Sequence, residues 1–130
     1  MKIRESLKTR GQNFVEFAII APVLLLLVLI IIDLGRITYS YSALHNAARE
    51  GARYGVINPA NTGGIEDRVR EYAVGLDQSA LTVIPLYNGV AETITVTAIY
   101  QFRTASPILW LLTNNNAYTL EAVSLKHTEE

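Results

Sequence analysis

The chain has no cysteine, and only two histidines and one tryptophan among its 130 residues. Without cysteine it has no disulfide framework, no thiolate metal site and no cysteine nucleophile. His45 and His127 fall in no metal-ligand or triad pattern, and the chain has no Walker loop, no Gly-x-Ser-x-Gly elbow and no His-Glu-x-x-His helix. Catalysis therefore has no positive signal, and we expect neither an enzyme nor a cofactor or metal site. Basic clusters interleaved with aromatics are missing beyond residue 11, which sets nucleic-acid binding aside.

Charge is informative once it is divided. The formal net charge of −1 combines a net +3 over residues 1–11 (Lys2, Arg4, Lys8 and Arg10 against Glu5) with a net −4 over the remainder. Directly after the basic segment, residues 14–32 form an apolar run of nineteen residues whose only ionisable group is Glu16. As a helix this run is about 28 Å long, close to the ~30 Å hydrocarbon core of a bilayer. The positive-inside rule places residues 1–11 in the cytoplasm and the rest of the chain across the inner membrane. Three fates fit such a run: a permanent span, a cleaved secretory signal, or a helix inserted first and later moved into a protein assembly. The secretory signal fits poorly, because the run is too long and its best cleavage motif, Ser40-Tyr41-Ser42, follows Asp33 and Arg36.

The helical pattern continues past the run. Leu34, Ile37, Tyr41, Leu44, Ala48 and Ala52 recur at spacings of three and four, with no proline from Asp33 to Val56. With Asn13 as cap and Asn58-Pro59 as stop, the spacing predicts one helix of about 65 Å. Half of that helix leaves the bilayer, so we expect a second apolar environment supplied by neighbouring subunits. Ala43, Ala47, Gly51 and Gly55 form a small-residue ladder at four-residue intervals, suited either to close helix–helix packing or to packing under the chain's own sheet.

Two residues interrupt the apolar run. Pro22 lacks an N–H and predicts a kink, whether an ordinary one or a bend used in moving from bilayer to filament. Glu16 is costly within a span and is a functional candidate by default. Its bland explanation is the Asn13-x-x-Glu16 spacing of a helix cap.

Arg10-Gly11-Gln12-Asn13-Phe14-Val15-Glu16-Phe17, directly ahead of an apolar helix, resembles the cleavage region of type IV prepilins. Adding Ala18, Pro22, residues 24–27, Asp33-Leu34-Gly35-Arg36 and Ala47-Ala48-Arg49-Glu50-Gly51-Ala52-Arg53-Tyr54, residues 10–56 resemble the TadE-like family, the minor pilins or pseudopilins of tight-adherence (Flp) pili. The resemblance implies that a prepilin peptidase cuts after Gly11 and leaves Gln12 as the new first residue. It also implies that Glu16, then fifth, pairs with the free amine of an adjoining subunit. The implied partners are other pilin or pseudopilin subunits, the assembly platform of the inner membrane and lipid. A filament outside the cell is the implied destination.

The head, residues 57–130, reads as a loop over 58–64, a short helix from Ile65 to about Gly75, and strands over 81–86, 90–102 and 118–126. Asn88-Gly89 predicts a hairpin. Alternation of Ile94, Val96, Ala98 and Tyr100 with threonines predicts a sheet with one wet face. Between the last two strands, residues 107–112 are apolar and contain Leu109 and Trp110, which are either core or an exposed interaction patch. The expected fold is therefore α+β and pilin-like. It joins a basic leader over 1–11, a long helix over 12–56 and a small head with an antiparallel sheet. Two functions compete: a pilus subunit assembled through its helix, and a single-pass, membrane-anchored envelope binding module that forms no filament.

Overall fold

The computed structural model describes residues 2–128, and its first element is a single 56-residue helix, α1 (Lys2–Ile57), about 84 Å long. The side chains of the basic leader, residues 1–10, lie outside the described residues. The helix starts well before Asn13, because no proline precedes that residue and the lone Gly11 costs a helix only about 1 kcal/mol. Asn13 is therefore interior and caps nothing. Glu16 lies far beyond the first turn, where the helix dipole no longer favours it. Helical structure also runs through Pro22, which leaves the Ala18 carbonyl without a helical donor. Asn58-Pro59 ends α1 as the sequence predicts.

Helix α2 (Thr62–Tyr72) begins earlier than its apolar spacing indicates, because Asn61 caps it. The Asn61 carboxamide oxygen accepts the Gly64 N–H at 2.9 Å while its NH2 donates to the Tyr54 hydroxyl at 3.1 Å, tying the start of α2 to α1. After α2 the chain turns at Gly75, whose φ of 76° suits glycine. The Tyr39 hydroxyl donates to the Val74 carbonyl at 3.1 Å and holds this turn against α1.

A 3-10 turn (Gln78–Ala80) leads into β1 (Leu81–Asn88), followed by β2 (Thr93–Arg103), a short helix α3 (Pro107–Thr113) and β3 (Ala117–His127). The strands form one antiparallel sheet in the order β1-β2-β3. Pro85 is tolerated because β1 is an edge strand. The hairpin expected at Asn88-Gly89 forms between β1 and β2; Asn88 pairs with Thr93, so the connection is four residues, and its left-handed residue is Glu92. Asn88 shapes the turn with its side chain, accepting the Val90 and Ala91 N–H groups at 3.0 and 3.2 Å.

The core lies between the second half of α1 and the inner face of the sheet, with α2 closing one side. Leu44, Ala47, Ala48 and Ala52 meet Ile65 and Val69 of α2, Ala73 at its C-cap, and Ile94, Val96 and Ala98 of β2. The small-residue ladder lies on this contact, and Ala43 sits half-buried at its margin. A Cβ added at Gly51 would run into Val69 Cγ2. One at Gly55 would lie 2.8 Å from Ile94 Cγ1 and 3.1 Å from Ile65 Cδ1. Of the two packings open to the ladder, the one under the chain's own head is the one formed here. Ala and Gly let the chain's own head close over α1 around residues 44–55, whereas Leu34 and Tyr41 of the expected stripe stay exposed.

Gly51→Ala should destabilise the head even though alanine gains about 1 kcal/mol in helix propensity. Val69 is branched at Cβ and cannot swing clear, and overpacking costs about 1–3 kcal/mol. Thermal melts followed by circular dichroism in detergent should show a lower midpoint for Gly51→Ala. Gly35→Ala, where the new Cβ meets nothing within 4 Å, should be neutral or stabilising.

Candidate membrane and assembly surface

The first half of α1 makes almost no contact with the head. Twelve large apolar side chains between Phe14 and Ile32 are 42–76% exposed, and the most apolar stretch of the helix has no buried residue. Gly11 and Gln12 sit on this helix, both exposed, and a side chain at Gly11 would meet nothing. Pro22 and Glu16 are exposed as well. The ion pairs among the described residues are Asp33–Arg36, Arg68–Glu71 and Arg70–Glu66, and none includes Glu16.

Asp33 ends the apolar run, and the structure gives it a role that sequence reading missed. The (i, i+3) spacing predicts the Arg36 pair, which forms at 3.2 Å. The carboxylate is fully buried, however, and most of its hydrogen bonds come from far along the chain. Oδ2 accepts the Ser106 N–H at 2.7 Å and the Ala105 N–H at 3.1 Å. These donors lie just ahead of α3, so one side chain at the end of the apolar run holds the β2–α3 link. The Arg36 guanidinium sits 5.1 Å from the centre of the buried Phe102 ring, on the strand that leads into that link. The only advance signal was a carboxylate placed immediately after an apolar run. Its partners, more than seventy residues away, left no mark in the local sequence.

Among the described side chains of residues 107–112, Pro107, Trp110 and Leu111 are exposed rather than core. Within α3, Trp110 is 52% and Leu111 77% exposed, while Leu109 is half-buried. The outer face of the sheet is less wet than the threonine alternation predicts. Ile84, Leu86, Val123 and Leu125 of the edge strands are exposed on either side of Thr95 and Thr97. An open cleft of about 550 Å³ between α1 and the sheet is lined by Arg36, Asp77, Ser79, Tyr100 and Arg103. The Ser79 hydroxyl and N–H, both donating to the Asp77 carboxylate, and the more distant Arg103 charge hold Asp77 below the usual carboxylate range.

Residues 11–53 match the family model described as TadE-like protein. This segment is TadE-like. No curated protein and no solved structure matches the chain. The TadE-like segment contains the uncovered apolar run, the Asp33–Arg36 pair and most of the face on which the head docks. The family points to a Tad pilus-associated protein, and the apolar half of the TadE-like helix is long enough for a single-pass membrane anchor.

Asp33→Asn keeps the shape at this position but removes the charge and turns an NH2 toward donors. Each hydrogen bond to a charged group contributes about 1.5–3 kcal/mol. Hydrogen exchange should therefore speed up at the Ala105 and Ser106 amides, by roughly tenfold or more, while the amides of Val69 and Val96 keep their protection.

Proposed function

We propose that the chain is a TadE-like pilin or pseudopilin, a structural subunit of a Tad (Flp) pilus rather than an enzyme. In this reading it inserts with its N-terminus in the cytoplasm, is cut after Gly11 by a prepilin peptidase, and assembles through α1. The observation that carries the proposal is the uncovered apolar half of α1 lying within the TadE-like match. Lipid meets that surface first and sibling helices meet it afterwards.

Glu16 gives the second step its selectivity. A carboxylate on an apolar helix is costly unless paired. Cleavage after Gly11 would create an α-amino group, cationic at pH 7, on the helix of the next subunit. Inside a low-dielectric bundle that amine and Glu16 attract far more strongly than they would in water. The pairing requires Gln12 to keep its amine and not cyclise, which the mass of the mature N-terminal peptide reports directly.

Two variants test the proposal in cells that carry the pilus machinery. Replacing Gly11 with a bulky residue should block leader removal, seen as an N-terminal peptide that still contains residues 1–11. Glu16→Ala should leave membrane insertion intact but cut incorporation into purified filaments about tenfold or more, the equivalent of one lost charge-assisted contact per subunit. A chain that stays uncut and lipid-bound in both wild type and variants is the permanently anchored binding module instead.

A further inference from the structure

Helix α3 is apolar, exposes Pro107, Trp110 and Leu111, and is held at its start by the Asp33 carboxylate and at its end by the 2.7 Å hydrogen bond between the Thr113 and Tyr118 hydroxyls. Three observations together say what it faces. The first is depth. Asp33 is the first residue after the apolar run, so in a membrane it stands where hydrocarbon gives way to headgroups. Its carboxylate holds the Ala105 and Ser106 N–H groups, so α3 starts at that same level. Seven helical residues reach only about 10 Å, which keeps α3 close to the interfacial layer.

The second is chemistry. The sequence Pro-Ile-Leu-Trp-Leu-Leu-Thr carries no charge, and Pro107, Trp110 and Leu111 are spaced i, i+3, i+4, which places these three exposed residues on one face. Tryptophan combines an apolar body with an N–H that needs a partner, the combination enriched where membranes meet water. Arg36 stands one turn beyond Asp33 with half of its side chain exposed, at the height where a guanidinium meets headgroups. The third is composition. Helices that pack against other helices within a membrane carry small residues at the contact, and the Pro107-Trp110-Leu111 face of α3 has none.

We infer that the Pro107-Trp110-Leu111 face of α3 is a membrane-contact surface, seated in the interfacial layer of the outer leaflet against lipid. This inference rests on the reading of residues 14–32 as a membrane anchor. The head is then fixed to the bilayer at two points, the anchor itself and α3, with Asp33 setting the relation between them. Detaching α3 from lipid becomes part of moving the subunit out of the membrane.

Trp110 is the sole tryptophan, so intrinsic fluorescence of the full chain reports this position alone. The protein is reconstituted into phosphatidylcholine vesicles containing lipids brominated either near the carbonyl or deep in the acyl chain, and vesicle flotation is measured in parallel. The expected result is flotation, blue-shifted emission, and stronger quenching by shallow than by deep bromine. Leu111→Glu should shift the emission to the red and weaken that quenching, with flotation and circular dichroism unchanged. Flotation with Trp110 open to aqueous acrylamide overturns the inference and leaves the anchor standing. So does blue-shifted emission that neither brominated lipid quenches, which would mark a protein as the occupant. Failure to float overturns the anchor reading and the inference with it.

Discussion

The rest of the structure depends on one mismatch: α1 is far longer than its head can cover. Burial of a large aliphatic or aromatic side chain contributes about 1.5–3 kcal/mol. Leaving a dozen of them in water would rival the whole stability of an ordinary domain, about 5–15 kcal/mol. The chain offers no second layer for this surface, since the sheet and α2 are already packed on the other half of the helix. An apolar medium must come from outside, and the same surface suits a bilayer and a bundle of like helices.

The TadE-like segment has two halves with different physics. Up to Ile32 it is a rod with apolar residues on every side, which is how a helix reads when lipid surrounds it. From Leu44 to Gly55 one face is reduced to alanine and glycine because α2 and β2 press directly on the backbone there. Asp33 joins the two halves. It lies at the end of the lipid-like rod, yet its carboxylate is buried within the chain and holds the β2–α3 link. Head and helix are thereby fixed relative to each other as well as covalently connected.

Much of this was legible in the sequence, and the misses share a cause. The apolar run, the long helix, its stop at Asn58-Pro59 and the three strands all follow from periodicity and turn chemistry, which are local. Local rules also misled. Asn13 looked like a cap, but nothing before it broke the helix. Asn88-Gly89 marks a hairpin that does form, while its four-residue length follows from the Asn88 side chain and could not be read from the pair alone. The ladder could be read for spacing but not for partner, because Gly51 and Gly55 are equally suited to a sibling helix and to Val69 and Ile94. Asp33 could be read as half of an i, i+3 pair, whereas its main partners, Ala105 and Ser106, come from the link between β2 and α3. The apolar character of residues 107–112 is plain in the sequence, but the exposure of Trp110 and Leu111 is a matter of tertiary placement, set in part by the Asp33 carboxylate.

Glu16, inside the apolar run, and Asp33, directly after it, are placed oppositely, and the contrast bears on how a helix can leave lipid. Moving apolar side chains from acyl chains to sibling helices gains little, because lipid tails are as apolar as leucine. Packing and the few polar groups must decide the direction. Asp33 contributes no bias, since its carboxylate is satisfied within its own chain in either environment. Glu16 is exposed, and the ion pairs among the described residues do not include it. In the proposed filament, a carboxylate that is costly in lipid would be relieved by a group on another subunit and would favour assembly where lipid alone would hold the helix. There, the carboxylate already satisfied in its own chain builds the subunit. The exposed one is left to join it to the next.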